Sequence, residues 1–503
     1  RRAHRVAAPR LALQQRVDRG GSGDGGAGVQ DFRLSPSCAR RRPHDGTTFA
    51  RRSHAARQWL FAAPPRAPSD RLAMKRKATD TPIEAADDRQ IIPVIGDSAV
   101  HVGHGLLGRI AAELTPANGI KASRFIIVSD SNVFPLYGQQ LVDSFLALGG
   151  FTLAACEPPG SAVAAGGGDE PPDLDKGKVL LTYTVPAGEG SKCRAIKAAI
   201  EDFMLLHKCN RDTCMLALGG GVVGDLVGYV AATYMRGVPV IQVPTSSTAM
   251  IDSSVGGKTA INVPAGKNLI GAFHQPRLVY ADMDLLATLG ARELVEGISE
   301  AIKMGCIRLP GLFDLLEAHP QRVMALDREL ITRVIYDAVR GKAEVVAADE
   351  KEAGLRSTLN WGHTVGHAIE ALKSPALMHG ECVAIGCVVE SELALRMGHE
   401  TLSREKIARV TACFASYGLP VHMPRDLELA DLMRKMAMDK KNQGNSIRCT
   451  IVTDIGVSIT NPQPVDKKLM QAVMGESMAI AREEWTPHEG GVAVAAAGGQ
   501  MAA

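Results

Sequence analysis

With 503 residues, 46% of them hydrophobic and only 4% aromatic, the chain is long enough for a large core in more than one domain, built mainly on Ala, Val, Leu and Ile. Its net charge of +3 is split: residues 1–80 carry +12 and the rest of the chain −9, so the charge of the body gives no support to a nucleic-acid partner. No apolar run approaches the length of a membrane-spanning helix, which argues against a membrane partner, and ten cysteines without a Cys-x-x-Cys pair predict reduced thiols and no disulfide framework.

Residues 1–80 are rich in Arg, Ala, Gly, Pro and Ser and show no hydrophobic period. They read either as an organellar transit peptide, which places the protein in a plastid, or as translated sequence upstream of a start at Met74, which leaves it cytoplasmic. Either way the stretch is expected to be disordered and outside the fold. From 90 to 285, short apolar runs alternate with helical stretches. Phe125–Val128 ends at Ser129-Asp130-Ser131-Asn132, Met215–Leu218 at Gly219-Gly220-Gly221, and Val238–Val243 at Pro244-Thr245. This pattern predicts an α/β domain with a mostly parallel sheet, whose ligands bind at the carboxyl ends of the strands. Residues 157–178, with Pro, Gly and acidic residues, read as an insertion loop. From 286 to 480 the pattern is mainly α-helical, with amphipathic segments near 293–307, 326–350, 381–397 and 403–416 and one short β-like run, Ile447–Val452. The Gly/Ala-rich tail, 485–503, is expected to be disordered.

Several short segments carry candidate chemistry. Gly219-Gly220-Gly221-Val222-Val223-Gly224-Asp225 follows a strand and opens a helix, where glycines let a backbone approach a pyrophosphate; a plain turn, with Asp225 as a dipole-stabilising acid of the first helical turn, is the competing reading. Asp252 to Thr259 lacks the spacing of an NTPase phosphate loop, yet a short loop with Lys258, then Lys267-Asn268, offers cations and an amide to a phosphate or carboxylate. His363 and His367 are four apart on a predicted helix, so their rings share a face. His379, in a Gly-containing loop, can close over the same divalent ion. Glu300 and Lys303 read either as a helix ion pair or with Glu300 as the carboxylate of a Glu-His-His metal site. Lys342, Glu352, Arg356 and Asn360 cluster just before or at the start of the histidine helix and look individually like surface polarity.

Taken together, LALGGGVVGD (216–225), YMRG (234–237), the long block 242–276, EGISEAIK (296–303), GLRSTLNWGHTVGHAIE (354–370), HGE (379–381) and DKKN (439–442) resemble, in order and spacing, the 3-dehydroquinate synthase family of sugar-phosphate cyclases. The resemblance covers roughly residues 90–475 and is nearest in wording to the cyclase portion of the fungal multifunctional enzyme of the shikimate pathway, which leads to chorismate and the aromatic amino acids.

It implies an NAD-binding α/β domain followed by a helical metal- and substrate-binding domain, and a lyase of phosphorus–oxygen bonds that uses NAD and Zn2+ (or Co2+). Glu300, His363 and His379 would hold the metal. Asp130, Asn132, Glu189, Lys192, Gly220, Gly221, Asp225, Thr245, Ser246 (where the family usually has Thr), Lys267 and Thr288 would hold NAD. Asp252, Lys258, Asn268, Lys342, Arg356, Asn360, His367 and His379 would bind a phosphorylated sugar acid, with Arg448 a further phosphate contact. Arg236 would reach into the site of a second subunit of a homodimer. Glu352 and His367 would move protons, with Lys258 and Asp252 also in the catalytic set. The implied reaction oxidises one substrate hydroxyl transiently with NAD, eliminates phosphate, returns the hydride and closes the ring by an aldol step. The readings that compete with it are another sugar-phosphate cyclase, acting on sedoheptulose 7-phosphate, and a metal-dependent polyol dehydrogenase.

Overall fold

The computed structural model describes residues 89–157, 177–437, 446–480 and 485–487. Residues 1–80, most of the 157–178 insertion, the 439–442 block and the tail from 488 lie outside the described residues.

The apolar runs of the first half form one eight-stranded sheet. Its strands are β1 (Gln90–Pro93), β2 (Ala99–Gly103), β3 (Arg124–Asp130), β4 (Phe151–Glu157), β5 (Lys178–Val185), β6 (Thr213–Gly219), β7 (Val240–Pro244) and β10 (Leu278–Asp282), with β8 (Lys258–Val263) and β9 (Gly266–Phe273) forming a separate antiparallel hairpin. The order across the sheet is β1-β2-β10-β7-β6-β3-β5-β4, and every pairing except β1 with β2 is parallel. In β3, Ile126 faces Leu181 of β5 on one side and Met215 of β6 on the other. Arg124 to Ser129 are all buried, as a strand covered on both faces requires, and Phe125–Val128 between them is continuously apolar where an alternating pattern would mark an exposed face. From β3 the chain goes on to β4 and β5 on one flank. From β6 it goes on to β7 and β10 on the other. The crevice between β3 and β6 is therefore the point where strand order reverses, the place a parallel sheet offers a ligand.

Two local expectations are corrected. Lys258 and Lys267-Asn268 do not lie on a short loop but on the paired strands β8 and β9, with Ile261 opposite Ile270. The run Ile447–Val452 is not one strand: Ile447–Cys449 pairs with Gln463–Val465, whereas Val452–Asp454 pairs with Val457–Ser458.

Five helices carry or support the predicted site: α1 (Gly221–Thr233), α2 (Ala291–Ile307), α3 (Arg328–Ala348), α4 (His363–Lys373) and α5 (His379–Arg396). His379 was expected in a loop; it is instead the first residue of α5. The extended Met378 precedes it, and the Glu381 carboxylate accepts from Met378 N at 2.8 Å, so the acid three residues into the segment closes the helix start. Helix α4 starts after Gly362, whose φ of +78° is left-handed and suits glycine. No described helix is long and apolar enough to cross a membrane.

The three helices bearing Glu300, His363 and His379 are fastened together mainly by α5. Its Glu390 is fully buried and accepts from Gly362 N at 2.8 Å, Thr364 N at 3.1 Å and Val365 N at 3.2 Å, so an acid of one helix caps the amino end of another. Its Glu381 takes two bonds from Arg292 of α2, at 2.6 and 2.8 Å. Ser299 of α2 donates to Gly380 O at 2.8 Å. The helices also touch backbone to backbone. A Cβ on Gly386 would lie 1.9 Å from Gly362 O, and one on Gly380 would lie 2.5 Å from Glu296 O.

Two substitutions test this fastening. Glu390→Ala leaves three buried donors without their acceptor, and with roughly 1–3 kcal/mol for each such loss the protein should lose at least about 3 kcal/mol in denaturant unfolding. A loss below about 1 kcal/mol would mean that water replaces the carboxylate. Gly386→Ala forces α4 and α5 apart and should cost roughly 1–3 kcal/mol, read as a lower melting temperature, because the obstructing atom is a carbonyl that cannot rotate away. An unchanged melting temperature would show that the contact is not tight.

Candidate active site

Most of the residues expected to hold a dinucleotide follow the carboxyl ends of four adjacent strands, β7, β6, β3 and β5, whereas Thr288 follows β10 and Lys267 lies on the hairpin strand β9. At the end of β3, Asp130 accepts from Asn132 N at 2.8 Å and Val133 N at 3.0 Å, a tight turn that leaves Asn132 exposed at the edge of the crevice. At the end of β6, Gly220 is extended and Gly221 begins α1, with no side chain capping the helix. Its first N–H groups can therefore meet an anion, and a Cβ on Gly221 would come 2.9 Å from Ser253 Oγ, so bulk there would fill the cradle. Thr245 N donates to Gly219 O at 3.0 Å, and Ser246 Oγ accepts from Ala249 N at 3.3 Å. Asp225 was expected in the first turn of α1, but it lies in the second. There it accepts from Lys192 Nζ at 2.5 Å, joining two residues far apart in the chain. Burial pushes its carboxyl above the usual range, with Lys192 opposing the shift. Glu189 accepts from Asn262 at 2.7 Å, and Thr288 pairs with the Tyr137 hydroxyl at 2.7 Å. These groups fit the pyrophosphate and hydroxyls of a dinucleotide.

The residues expected to hold a metal converge from three helices. Glu300 Oε1 lies 3.5 Å from His379 Nε2 and 3.7 Å from His363 Nε2, too long for good hydrogen bonds. Both Glu300 oxygens are buried and lack a hydrogen bond of proper geometry, although Lys303 Nζ packs against Oε2. The far nitrogens of both rings are already engaged: His363 Nδ1 with Trp361 O at 2.9 Å and His379 Nδ1 with Glu370 Oε2 at 2.9 Å. A ring that donates through Nδ1 offers Nε2 as a ligand once that nitrogen is unprotonated, here from two sides of a carboxylate paired with Lys303. That is the donor set and tautomer a divalent metal requires.

His367 belongs to the same group: ligand nitrogens of His363, His367 and His379 lie within 4.8 Å of one another. His367 is exposed, whereas Glu300 is buried, so the carboxylate closes the inner side and His367 stands at the mouth.

The charges agree with this arrangement. Burial raises the Glu300 carboxyl, but the Lys303 ammonium and His379 outweigh it and hold it at about 2. Burial, with Lys303 and the other two imidazoles, drives His363 well below its ordinary value, leaving it neutral, as a ligand must be. Burial also disfavours the charged form of His379, yet Glu300 and Glu370 on either side hold it at about 10. Two carboxylates that stabilise a proton there would stabilise a metal cation at the same nitrogen.

The expected substrate groups adjoin the metal set. Lys342 Nζ donates to Asp252 Oδ1 at 2.6 Å, and the Asp252 carboxyl feels Lys342, Glu300 and Lys303. Lys258 Nζ donates to Glu352 Oε2 at 2.6 Å while Asn360 donates to Glu352 Oε1 at 2.5 Å. Glu352 and Asn268 both have left-handed backbones, with φ of +61° and +55°. Arg356, expected among the substrate-binding residues, is turned toward backbone instead. Its guanidinium is buried, and its two terminal nitrogens donate to Glu350 O and Gly256 O. Arg448 donates to Pro462 O, and its own carbonyl accepts from Thr364 at 3.3 Å, which puts it beside the histidine helix. Arg236 is exposed on a left-handed turn after α1. Lys267, expected at the cofactor, donates to Glu370 Oε1 at 2.8 Å.

The reading of the sequence missed Glu370, Glu390 and the Arg292–Glu381 pair. Glu370 lies seven residues after His363 and three after His367, hence on the same helical face; Glu390 is an acid inside the apolar run Val388-Val389-Glu390-Ser391. Both signals were available.

Residues 182–296 match the family model of the 3-dehydroquinate synthase N-terminal part and residues 297–442 that of the C-terminal part, together just over half of the chain. The pentafunctional AROM polypeptide of Candida tropicalis is 41% identical over 389 residues, covering 73% of this chain but 23% of that polypeptide. The chain thus spans about a quarter of the length of the curated relatives it matches. Among solved structures, ValA, a 2-epi-5-epi-valiolone synthase from Streptomyces hygroscopicus with NAD+ and Zn2+ bound, is 27% identical with a TM-score of 0.63, covering 76% of this chain and 97% of that one. A 2-deoxy-scyllo-inosose synthase complexed with carbaglucose-6-phosphate, NAD+ and Co2+ shares the fold at 21% identity and a TM-score of 0.63, covering 77% of this chain and 100% of that one. By the family models it matches and the relatives it resembles, the chain belongs to the 3-dehydroquinate synthase family.

Proposed function

We propose that the protein converts 3-deoxy-D-arabino-heptulosonate 7-phosphate to 3-dehydroquinate and phosphate, the cyclisation step of the shikimate pathway. The observation that carries this reading is the buried Glu300 carboxylate, without hydrogen bonds of proper geometry and faced by two imidazole Nε2 atoms, beside the Lys258–Glu352–Asn360 and Lys342–Asp252 groups. Glu300, His363 and His379 would hold zinc or cobalt, and the carboxyl edge of the sheet would hold NAD. When bound, the metal supplies Lewis acidity at the substrate hydroxyls and NAD supplies a transient store for one hydride.

The remaining work falls to side chains. Lys258 and Asn268 would receive the phosphate, with Arg448 at hand, and Arg356 would act through its charge and by fixing Gly256. Lys342 and Asp252 would orient the hydroxyls and carboxylate of the sugar acid. Burial raises the Glu352 carboxyl, but Lys258 and the Asn360 amide outweigh it and keep it ionised, ready to accept a proton. A substrate phosphate that draws Lys258 toward itself takes that cation from Glu352, which becomes a stronger base as the substrate arrives. His367, at the mouth, would be the second proton carrier. Assembly as a homodimer, with the exposed Arg236 entering the neighbouring site, and a cytoplasmic location are parts of the same proposal; the eight cysteines from Cys193 to Cys449 are free thiols, which suits a reducing compartment.

Phosphate release by the purified protein, coupled to consumption of the product by an added dehydroquinase, tests the reading. The signal should vanish on chelation, return with zinc or cobalt, and proceed without accumulating NADH. Metal-loaded, folded protein that releases no phosphate would sink the proposal, and NADH build-up with polyols would point to a dehydrogenase. Lys258→Ala should raise KM roughly 10- to 100-fold, the ~1.5–3 kcal/mol of a charged hydrogen bond, with NAD affinity unchanged. Equal loss of both would contradict its phosphate role. His363→Ala should bring turnover to background and lower bound metal; full metal content at full rate would remove it from the site.

A further inference from the structure

We propose that Glu370 is a positioning residue for the His379 imidazole, and that Lys267 braces it, so that the β8–β9 hairpin and the metal ligands are held as one unit. The inference rests on the reading of Glu300, His363 and His379 as metal ligands.

The two oxygens of Glu370 have separate tasks. Oε2 accepts from His379 Nδ1 at 2.9 Å, and Oε1 accepts from Lys267 Nζ at 2.8 Å. The first bond fixes the ring tautomer and turns Nε2 toward Glu300 Oε1, 3.5 Å away. A carboxylate behind an imidazole also raises the electron density at the far nitrogen, strengthening it as a ligand. His363 has a neutral acceptor in the same position, the Trp361 carbonyl at 2.9 Å. The two rings are thus unequally supported, with the charged acceptor behind His379 alone.

The second bond extends this chain to β9, where Asn268 is the next residue, and the paired strand β8 begins with Lys258. Glu370 stands on α4 and His379 at the start of α5, so the chain Lys267–Glu370–His379–Glu300 crosses from the hairpin through two helices to a third. The links differ in burial. The Glu370 side chain is 16% exposed, whereas that of Lys267 is 49% exposed. An ion pair with a half-exposed cation is weak, so Glu370 should matter much more than its brace.

The test measures zinc affinity of the full-length protein by competition with a chromogenic chelator, together with the visible spectrum of the cobalt-loaded form, which reports ligand geometry. Glu370→Ala should weaken zinc binding about 10- to 100-fold and alter the cobalt spectrum. Glu370→Gln keeps an acceptor for Nδ1–H and should recover part of the loss; being nearly isosteric, it also serves if the alanine variant does not fold. Lys267→Met should weaken zinc binding about two- to fivefold. His363→Ala is the control for the underlying reading. If it loses zinc while the Glu370 variants bind within about twofold of the parent with an unchanged spectrum, the positioning role is overturned and the metal site stands. If it binds zinc like the parent, the metal reading fails and this inference with it. Unchanged zinc affinity in Lys267→Met overturns the brace.

Discussion

The whole arrangement depends on how closely α4 and α5 approach. Gly362, Gly366 and Gly386 leave no side chain between the two backbones, and Glu390 ties the amino end of α4 to the middle of α5. His363 begins the first helix and His379 the second. Two rings from different helices can face one carboxylate only if the helices are nearly in contact. A larger residue at the crossing would separate the rings by ångströms, enough to abolish a ligand set whose bonds tolerate only a few tenths.

Charge is handled by pairing, within helix α2 for Glu300 and Lys303 and across elements for the other three pairs. Glu300 with Lys303, Asp252 with Lys342, Lys192 with Asp225 and Arg292 with Glu381 each place an acid and a base together in poorly hydrated surroundings. Such pairs contribute little net stability, because removing both charges from water costs about what their attraction returns. Their value lies in orientation. Each holds a charged group at a fixed point, and where a ligand can reach it, the ligand competes with the partner and alters what the freed group does. Asp252 shows how connected the set is, since its carboxyl feels Lys342, Glu300 and Lys303 together. A change at the metal carboxylate is therefore felt by the groups expected to orient substrate.

Features written in contiguous residues were legible in the sequence. Strand ends with glycine or small polar residues, the helical spacing of His363 and His367, and the amphipathic periods after 286 pointed to the elements the structure shows, and the family blocks named residues that the structure brings near one another. What the sequence hid was pairing at a distance. Lys267 looked like a cofactor cation, yet its partner is Glu370, 103 positions away. The Lys258 segment looked like a loop because glycines precede it, although it zips onto β9. His379 looked like a loop ligand because Gly380 follows it, and only the Glu381 side chain turning back to Met378 shows that a helix starts there. Arg356 looked like surface polarity, but burial against two backbone carbonyls is a property of the fold.

The left-handed backbone at Glu352 has a consequence for engineering. A carboxylate residue is held where glycine would be more comfortable, with φ of +61°, at a cost on the order of 1–3 kcal/mol. Screens that reward thermostability alone will therefore favour glycine at this position, and each such winner discards the carboxylate facing Lys258 and Asn360. Heat resistance and proton-transfer capacity compete here for a single codon, so directed evolution of this chain needs a selection on turnover beside the one on melting.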